Sequence, residues 1–127
     1  MYNYGDIKLQ NKQDAFSAMY FFVSTSILEF CGRRNGEKIC REAMRRAGRE
    51  SGLAQKKKFI DAGIKTNLQT LFHSARDYVP DPRFHARELF NEEQRQVYEI
   101  FTCPMADFWN NHGGGKVGSF FCEEYHY

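Results

Sequence analysis

The chain has 127 residues, enough for one domain with a core of its own, and its 18 basic and 16 acidic residues give a formal net charge of +2. This near balance gives no support for binding to nucleic acid or to an acidic membrane surface. No apolar run approaches the roughly 18 residues that a membrane-spanning helix needs, and residues 1–13 are polar rather than a signal peptide. We therefore expect a single cytoplasmic domain over residues 1–127, with reduced thiols at its four cysteines, Cys31, Cys40, Cys103 and Cys122.

Helical spacing of apolar residues begins at residue 11 or 12, after a short lead-in. It predicts a first helix that continues to Cys31 and ends at Gly32, a residue type that commonly terminates helices. The predicted apolar face of this helix consists of Ala15, Met19, Phe22, Val23, Ser26, Ile27 and Phe30.

Two further helices are predicted in the first two thirds of the chain, over residues 37–50 and 53–78, with Gly48 and Gly52 near their junction. Small residues such as Gly48 would let another backbone approach the second helix closely. Pro80 and Pro82 then end the helical region, because each proline disfavours the helical conformation of the residue before it.

The architecture is expected to change after these prolines. Residues 83–90 show no clear pattern, residues 91–93 resemble a turn, and residues 94–103 alternate with the period of a strand. A helix is the competing interpretation of this last stretch, since residues 92–95 would start one well. Pro104 suits the first position of a short helix over residues 105–111, and a final helix is predicted from Val117.

Together these elements predict an α+β fold that is mostly helical. Three main N-terminal helices would pack on a small antiparallel sheet or β segment, and short helices would follow at the C-terminal end.

Residues suited to site chemistry concentrate in residues 102–127. Cys103, directly before a predicted helix start, could serve as a nucleophile, with Glu123 or His126 as a base. Glu123 and Glu124 point about 100° apart on a helix, so at most one of them is expected to enter a site.

Metal and phosphate sites are weaker interpretations of the same stretch. Cys122 and His126 are its only pair at a zinc-ligand spacing, and buried inert cysteines explain the pattern better, so no metal or cofactor is expected. The glycine-rich residues 113–118 match no phosphate-binding motif and indicate a flexible connection between two short helices.

Three sequence blocks carry a resemblance to a known family. They are residues 36–52, GEKICREAMRRAGRESG; the Cys103-Pro104 step ahead of Trp109; and the run Phe121-Cys122-Glu123. In these blocks the chain resembles the L-2-amino-thiazoline-4-carboxylic acid hydrolase family.

The resemblance implies a hydrolase that acts on a non-peptide carbon–nitrogen bond and opens a small thiazoline ring to N-carbamoyl-cysteine. It implies helices packed on a small antiparallel sheet, distantly similar to vinyl-4-reductase-type small-molecule-binding domains. Family members continue well past the last residue, so a C-terminal truncation relative to the family is also an expectation.

The resemblance carries catalytic roles to Cys103, Cys122 and Glu123, and His126 completes the expected catalytic set. Trp109 and His112 are the expected substrate-binding residues. The substrate pocket is expected between the third helix and the segment from Cys103 to His126.

Two other classes of function stay open from the sequence. With 12 Phe and 7 Tyr, the chain has more aromatic surface than a domain this small is expected to bury alone. That surface favours a non-catalytic ligand-binding or assembly module, with a homo-oligomer formed through aromatic helix faces. A zinc-binding adaptor is the third alternative.

Overall fold

The computed structural model describes residues 12–68, 70 and 82–125. Two long helices, α1 (Lys12–Cys31) and α2 (Arg33–Asp61), precede two strands, β1 (His85–Glu92) and β2 (Arg95–Thr102). Two short helices follow, α3 (Pro104–Asn111) and α4 (Gly115–Tyr125). The predicted α+β, mostly helical fold with a small antiparallel sheet is therefore confirmed. None of the described helices combines the length and the apolar character that crossing a membrane requires.

The joint between α1 and α2 is a single residue. The predicted limits of the first helix are confirmed, and Gly32 follows it with φ of +80°, a conformation that glycine adopts without strain. α2 starts directly afterwards at Arg33, four residues earlier than predicted. A Cβ atom at Gly36 would lie 2.8 Å from the Cα of Leu28, so this glycine lets the two helices cross closely.

α2 is one helix of 29 residues that passes through both Gly48 and Gly52. The predicted boundary between a second and a third helix at these glycines is therefore wrong. Gly48 has a packing role instead, because a Cβ atom there would overlap the backbone carbonyl of Tyr125 in α4. This close approach confirms the prediction made for Gly48. α2 ends before Gly63, whose φ is +68°, and residues 71–78 of the predicted third helix lie outside the described residues.

The two strands form an antiparallel hairpin whose register runs from His85 opposite Thr102 to Glu92 opposite Arg95. The strand predicted over residues 94–103 is thus confirmed, and the competing helix is wrong. Its partner β1 was missed because residues 83–90 carry no clear alternation. The register is irregular at two points along β1, which accounts for the weak pattern.

The core lies where α1, α2, α3 and α4 meet. Its buried members are Tyr20, Phe21, Cys40, Trp109, Val117, Phe120 and Phe121. Trp109 is 1% exposed, and its Nε1 donates a hydrogen bond of 3.0 Å to the backbone oxygen of Ser17. Gly118 lies against the indole ring, where a Cβ atom would overlap it. α1 therefore packs against aromatic residues of the two C-terminal helices, α3 and α4.

α1 buries a different face from the one predicted. Its buried residues are Asp14, Ser17, Ala18, Tyr20, Phe21 and Ser24. Met19 and Val23 of the predicted face are exposed, and Phe30 is 84% exposed. Small side chains at Ser17 and Ser24 leave room for the indole of Trp109 and for the thiol of Cys40, which donates to the Ser24 oxygen at 3.9 Å. α1 therefore turns toward the core the face whose small side chains can accommodate these partners.

Candidate functional site

α2 and α4 lie side by side and run in the same direction. Gly48, in the second half of α2, contacts Tyr125 at the end of α4, and residues near the two helix starts line a common groove. Two of the predicted catalytic residues, Cys122 and Glu123, lie on the second half of α4. The packing of α4 against α2 thus determines the positions of the Cys122 and Glu123 side chains.

Cys103 is the N-cap residue of α3. Its backbone is extended, with φ of −131° and ψ of 116°, and the following Pro104 is buried at the start of the helix. Proline is favoured at this position because its fixed φ suits a helix start and its missing N–H would have no helical partner. Cys103 is half-buried at the point where β2 gives way to α3.

Cys122 carries a thiol whose pKa is raised above its ordinary value. Desolvation is the main cause, although the residue as a whole is exposed. The charges of Cys103 and Glu123 raise this pKa further. Cys122 is thus within electrostatic range of both Cys103 and its chain neighbour Glu123, and we call Cys103, Cys122 and Glu123 the cysteine cluster. All four cysteines of the chain are free thiols, as predicted.

Glu123 is held by Arg41 of α2. The Arg41 Nη1 lies 2.6 Å from Glu123 Oε2 and 3.2 Å from Glu124 Oε1, while its Nε lies 3.0 Å from Glu37 Oε1. The guanidinium also lies over the ring of Phe120, 4.7 Å from its centroid. The hydrogen bonds that Arg41 donates to Glu123 first, and then to Glu37, raise the pKa of Arg41, so this cation keeps its charge.

Glu124 is held by a second arginine as well. Arg45 donates to Glu124 Oε2 from Nε at 3.1 Å and from Nη2 at 2.9 Å. Arg45 and then Arg41 lower the pKa of Glu124. The side chain of Glu124 is 18% exposed and that of Glu123 is 58% exposed. Glu123 is therefore the more accessible and the less constrained of the two carboxylates.

The two expected substrate-binding residues, Trp109 and His112, lie in and beside α3. Trp109 is buried in the core, as described above, and His112 follows α3 with its ring stacked on Phe108 at 4.2 Å between centroids. The His112 Nδ1 lies 2.7 Å from the backbone oxygen of Phe108. A substrate contact for either residue stays a prediction, and His126 lies outside the described residues.

In the parts of the chain that the structure describes, no group of three or more His, Cys, Asp and Glu side chains has an arrangement that could hold a metal ion. The glycine-rich residues 113–118 contain the end of a turn and the first part of α4. Gly114 is buried, and a Cβ atom there would overlap the ring of Phe21. Packing against α1 thus explains a glycine at this position.

Comparison with protein families assigns the chain. Its sequence matches the family described as L-2-amino-thiazoline-4-carboxylic acid hydrolase over residues 10–126, nearly the whole chain. The chain belongs to this family. The match covers every described residue of the cysteine cluster and of its arginine partners. Searches of curated proteins and of solved structures found no match.

This member of the thiazoline-carboxylate hydrolase family also contains a groove that the sequence analysis missed. The groove has a volume of about 240 Å³, and its lining includes Thr25, Arg33, Glu37, Gly114, Lys116 and Val117. A usable signal was present in the sequence, since Arg33 and Lys116 each follow a glycine at the start of a helix. The second helix was predicted to begin at residue 37, whereas Arg33 lies in the first turn of α2.

Proposed function

We propose that the chain is a hydrolase that opens the ring of a small cyclic amidine of the thiazoline-carboxylate type, with the cysteine cluster as its reacting groups. Membership of the family over residues 10–126 supports the reaction class. The observation that carries the proposal is the 2.6 Å ion pair of Arg41 with Glu123, which holds a carboxylate next to Cys122 on α4, while the charge of Cys103 acts on the same thiol.

The two thiols suit different roles. Two neighbouring thiols do not both ionise readily, because one thiolate disfavours a second nearby. The pKa of Cys122 is raised, so its thiol stays protonated at neutral pH. Cys103 is therefore assigned as the nucleophile and Cys122 as the proton donor.

In the first step, the Cys103 sulfur forms a bond to the amidine carbon of the ring. The bond from that carbon to the ring sulfur breaks, and the departing sulfur takes the proton of the Cys122 thiol. The substrate then carries a free thiol, and its amidine carbon is attached to Cys103 as an isothiourea.

In the second step, water adds to the same carbon and gives one proton to the carboxylate of Glu123, which Arg41 holds at 2.6 Å. The other proton of water moves to the imine nitrogen of the isothiourea, the bond to Cys103 breaks with release of its thiolate, and the oxygen of water remains as the carbonyl of a carbamoyl group. Glu123 then returns its proton to the Cys122 thiolate, which restores the starting state of the chain. The atoms sum to substrate plus one water, and the product is N-carbamoyl-cysteine.

The identity of this product contradicts the expectation that a carbon–nitrogen bond is cleaved. Cleavage of the ring carbon–nitrogen bond would leave the carbamoyl group on sulfur and release an amine. N-Carbamoyl-cysteine instead requires cleavage of the carbon–sulfur bond, which releases a thiol. The bond that breaks is therefore a measurable property of the reaction.

The test is incubation of the purified chain with L-2-amino-thiazoline-4-carboxylic acid, with the product followed by NMR and by a thiol-specific reagent. The expected result is one free thiol for each substrate consumed. A free amine without a thiol would reverse the assignment of the broken bond, and no consumption at all would remove the proposal.

One observation favours the second candidate function, an assembly module. Met19, Val23 and Phe30 leave an apolar stripe of α1 exposed, and stripes of this kind often mark protein contacts. The homo-oligomer expected from the sequence stays a prediction, which light scattering on the purified chain tests. A mass equal to one chain at all concentrations would contradict it.

A further inference from the structure

The groove between the starts of α2 and α4 is a second place where charged side chains meet. We call it the basic groove and define it by Thr25, Arg33, Glu37, Gly114, Lys116 and Val117. Its volume of about 240 Å³ lies below the roughly 300–1,000 Å³ of sites for drug-sized molecules. A ligand the size of an amino acid fills such a space, whereas a nucleotide exceeds it.

Arg33 and Lys116 are the two cations of the groove. Within residues 12–68, 70 and 82–125, neither Arg33 nor Lys116 takes part in an ion pair. Both belong to the first turn of a helix, where backbone N–H groups add partial positive charge. An arginine and a lysine that share one concave surface form a natural binding site for a carboxylate.

The groove also contains acceptors for a positively charged group. Glu37 contributes a carboxylate whose Oε1 is held by Arg41 at 3.0 Å. Thr25 uses its hydroxyl hydrogen within α1, donating to the Phe21 oxygen at 2.7 Å, so the hydroxyl oxygen can accept a hydrogen bond from a ligand. Positive and negative groups therefore face one small space.

We propose that the basic groove binds a small zwitterion, an amino acid or a close derivative of one. Arg33 and Lys116 hold its carboxylate, and Glu37 with Thr25 holds its ammonium or amidinium group. A simple anion would leave Glu37 without a partner in the ligand, and a simple cation would leave Arg33 and Lys116 without one.

The groove is linked to the cysteine cluster through Arg41, which holds both Glu37 and Glu123, but it is remote from Cys103. Cys103 precedes α3 and Gly114 follows it, and a helix of eight residues is about 12 Å long. A molecule of amino-acid size cannot span that distance. The inference therefore goes beyond the proposed reaction, since the chain would bind a small molecule at a place remote from Cys103.

The test is a titration of the ¹⁵N-labelled chain with L-alanine, followed by amide chemical shifts. We expect saturable shifts at Gly114, Lys116 and Val117. An Arg33→Met plus Lys116→Met variant should bind at least about tenfold more weakly, whereas Lys38→Met, an exposed cation of α2 outside the groove, should bind as the wild type does. The amide spectrum of each variant also reports whether it is folded.

Two further ligands and one further variant make the test selective. L-Alanine methyl ester and acetate each lack one of the two charges, so both should bind at least about tenfold more weakly than L-alanine. Cys103→Ser should leave the affinity for L-alanine unchanged. Equal affinity for acetate, equal affinity of the double variant, or lost binding in Cys103→Ser would each overturn the proposal.

Discussion

Arg41 of α2 and Glu123 of α4 are joined by an ion pair with 2.6 Å between Nη1 and Oε2, 82 positions apart in the chain. The same guanidinium contacts Glu124 and Glu37, so one side chain gathers three carboxylates. Arg41 therefore fixes the position of the carboxylate to which the proposed reaction assigns proton transfer.

The two adjacent glutamates provide a matched pair of variants. Glu123→Gln should lower kcat by at least about 100-fold, because the variant loses the group that accepts the proton of water. Glu124→Gln should change kcat by less than about threefold, since Arg41 and Arg45 already occupy that carboxylate. Steady-state kinetics on both variants measure these changes in kcat. Equal losses in the two would show that the charge network matters and that neither carboxylate is special.

The two glycines inside α2 differ in what surrounds them. Gly48 lies against the backbone of Tyr125, whereas nothing lies within 4 Å of a Cβ atom at Gly52. Gly48→Ala should lower the free energy of unfolding by about 2 kcal/mol, because α4 must move away. Gly52→Ala should raise it by about 1 kcal/mol, because alanine favours a helix over glycine.

Urea denaturation of the wild type and the two alanine variants measures both changes. The signs should be opposite although the substitutions are chemically identical and lie one helical turn apart. Stabilisation by Gly48→Ala would mean that α2 and α4 do not pack as the structure has them.

Tyr20 links the core to alkaline stability. Its hydroxyl donates to the backbone oxygen of Val117, and burial raises the pKa of Tyr20 from 10.0 to about 12. A hydrogen bond with Ser24 opposes this shift, and the charge of Cys40 adds to it. Because the folded pKa is the higher one, the contribution of Tyr20 to stability is complete below pH 10 and is lost as the pH rises to about 12.

The expected loss from this group is about 3 kcal/mol, from the two-unit shift at 1.36 kcal/mol per unit. Cys40 and Cys122 also have raised pKa values. Their contributions to the free energy of unfolding are therefore also lost as the pH rises above the ordinary pKa of a thiol. Tyr20→Phe should therefore reduce the alkaline fall in unfolding free energy without abolishing it. Identical pH profiles for the variant and the wild type would contradict the buried position of the hydroxyl.

Local patterns in the sequence predicted much of the fold. Lys12–Cys31 has clear helical spacing and a terminating glycine, and Pro104 marks the start of α3, so both elements were predicted closely. The strand at Arg95–Thr102 followed from its alternation. These signals act within a few residues, so the sequence displays them directly.

The failures involve contacts between distant parts of the chain. Ser17 and Ser24 are buried because Trp109 and Cys40 pack against them, and helical periodicity alone cannot identify such partners. The helix boundary predicted near Gly48 and Gly52 was wrong, and the close approach predicted at Gly48 was correct, but the sequence did not identify Tyr125 as the partner. The candidate site shows the same division. Cys103 and Cys122 were singled out from the sequence, but Arg41, which holds Glu123, became apparent only once α2 and α4 were side by side.

The proposed role of Cys103 is the central claim, and the rate of thiol release from L-2-amino-thiazoline-4-carboxylic acid tests it most directly. Cys103→Ala should lower this rate at least about 1,000-fold, because it removes the nucleophile. Cys31→Ala, which removes an exposed thiol at the end of α1, should leave the rate unchanged. Full activity in Cys103→Ala would contradict the account.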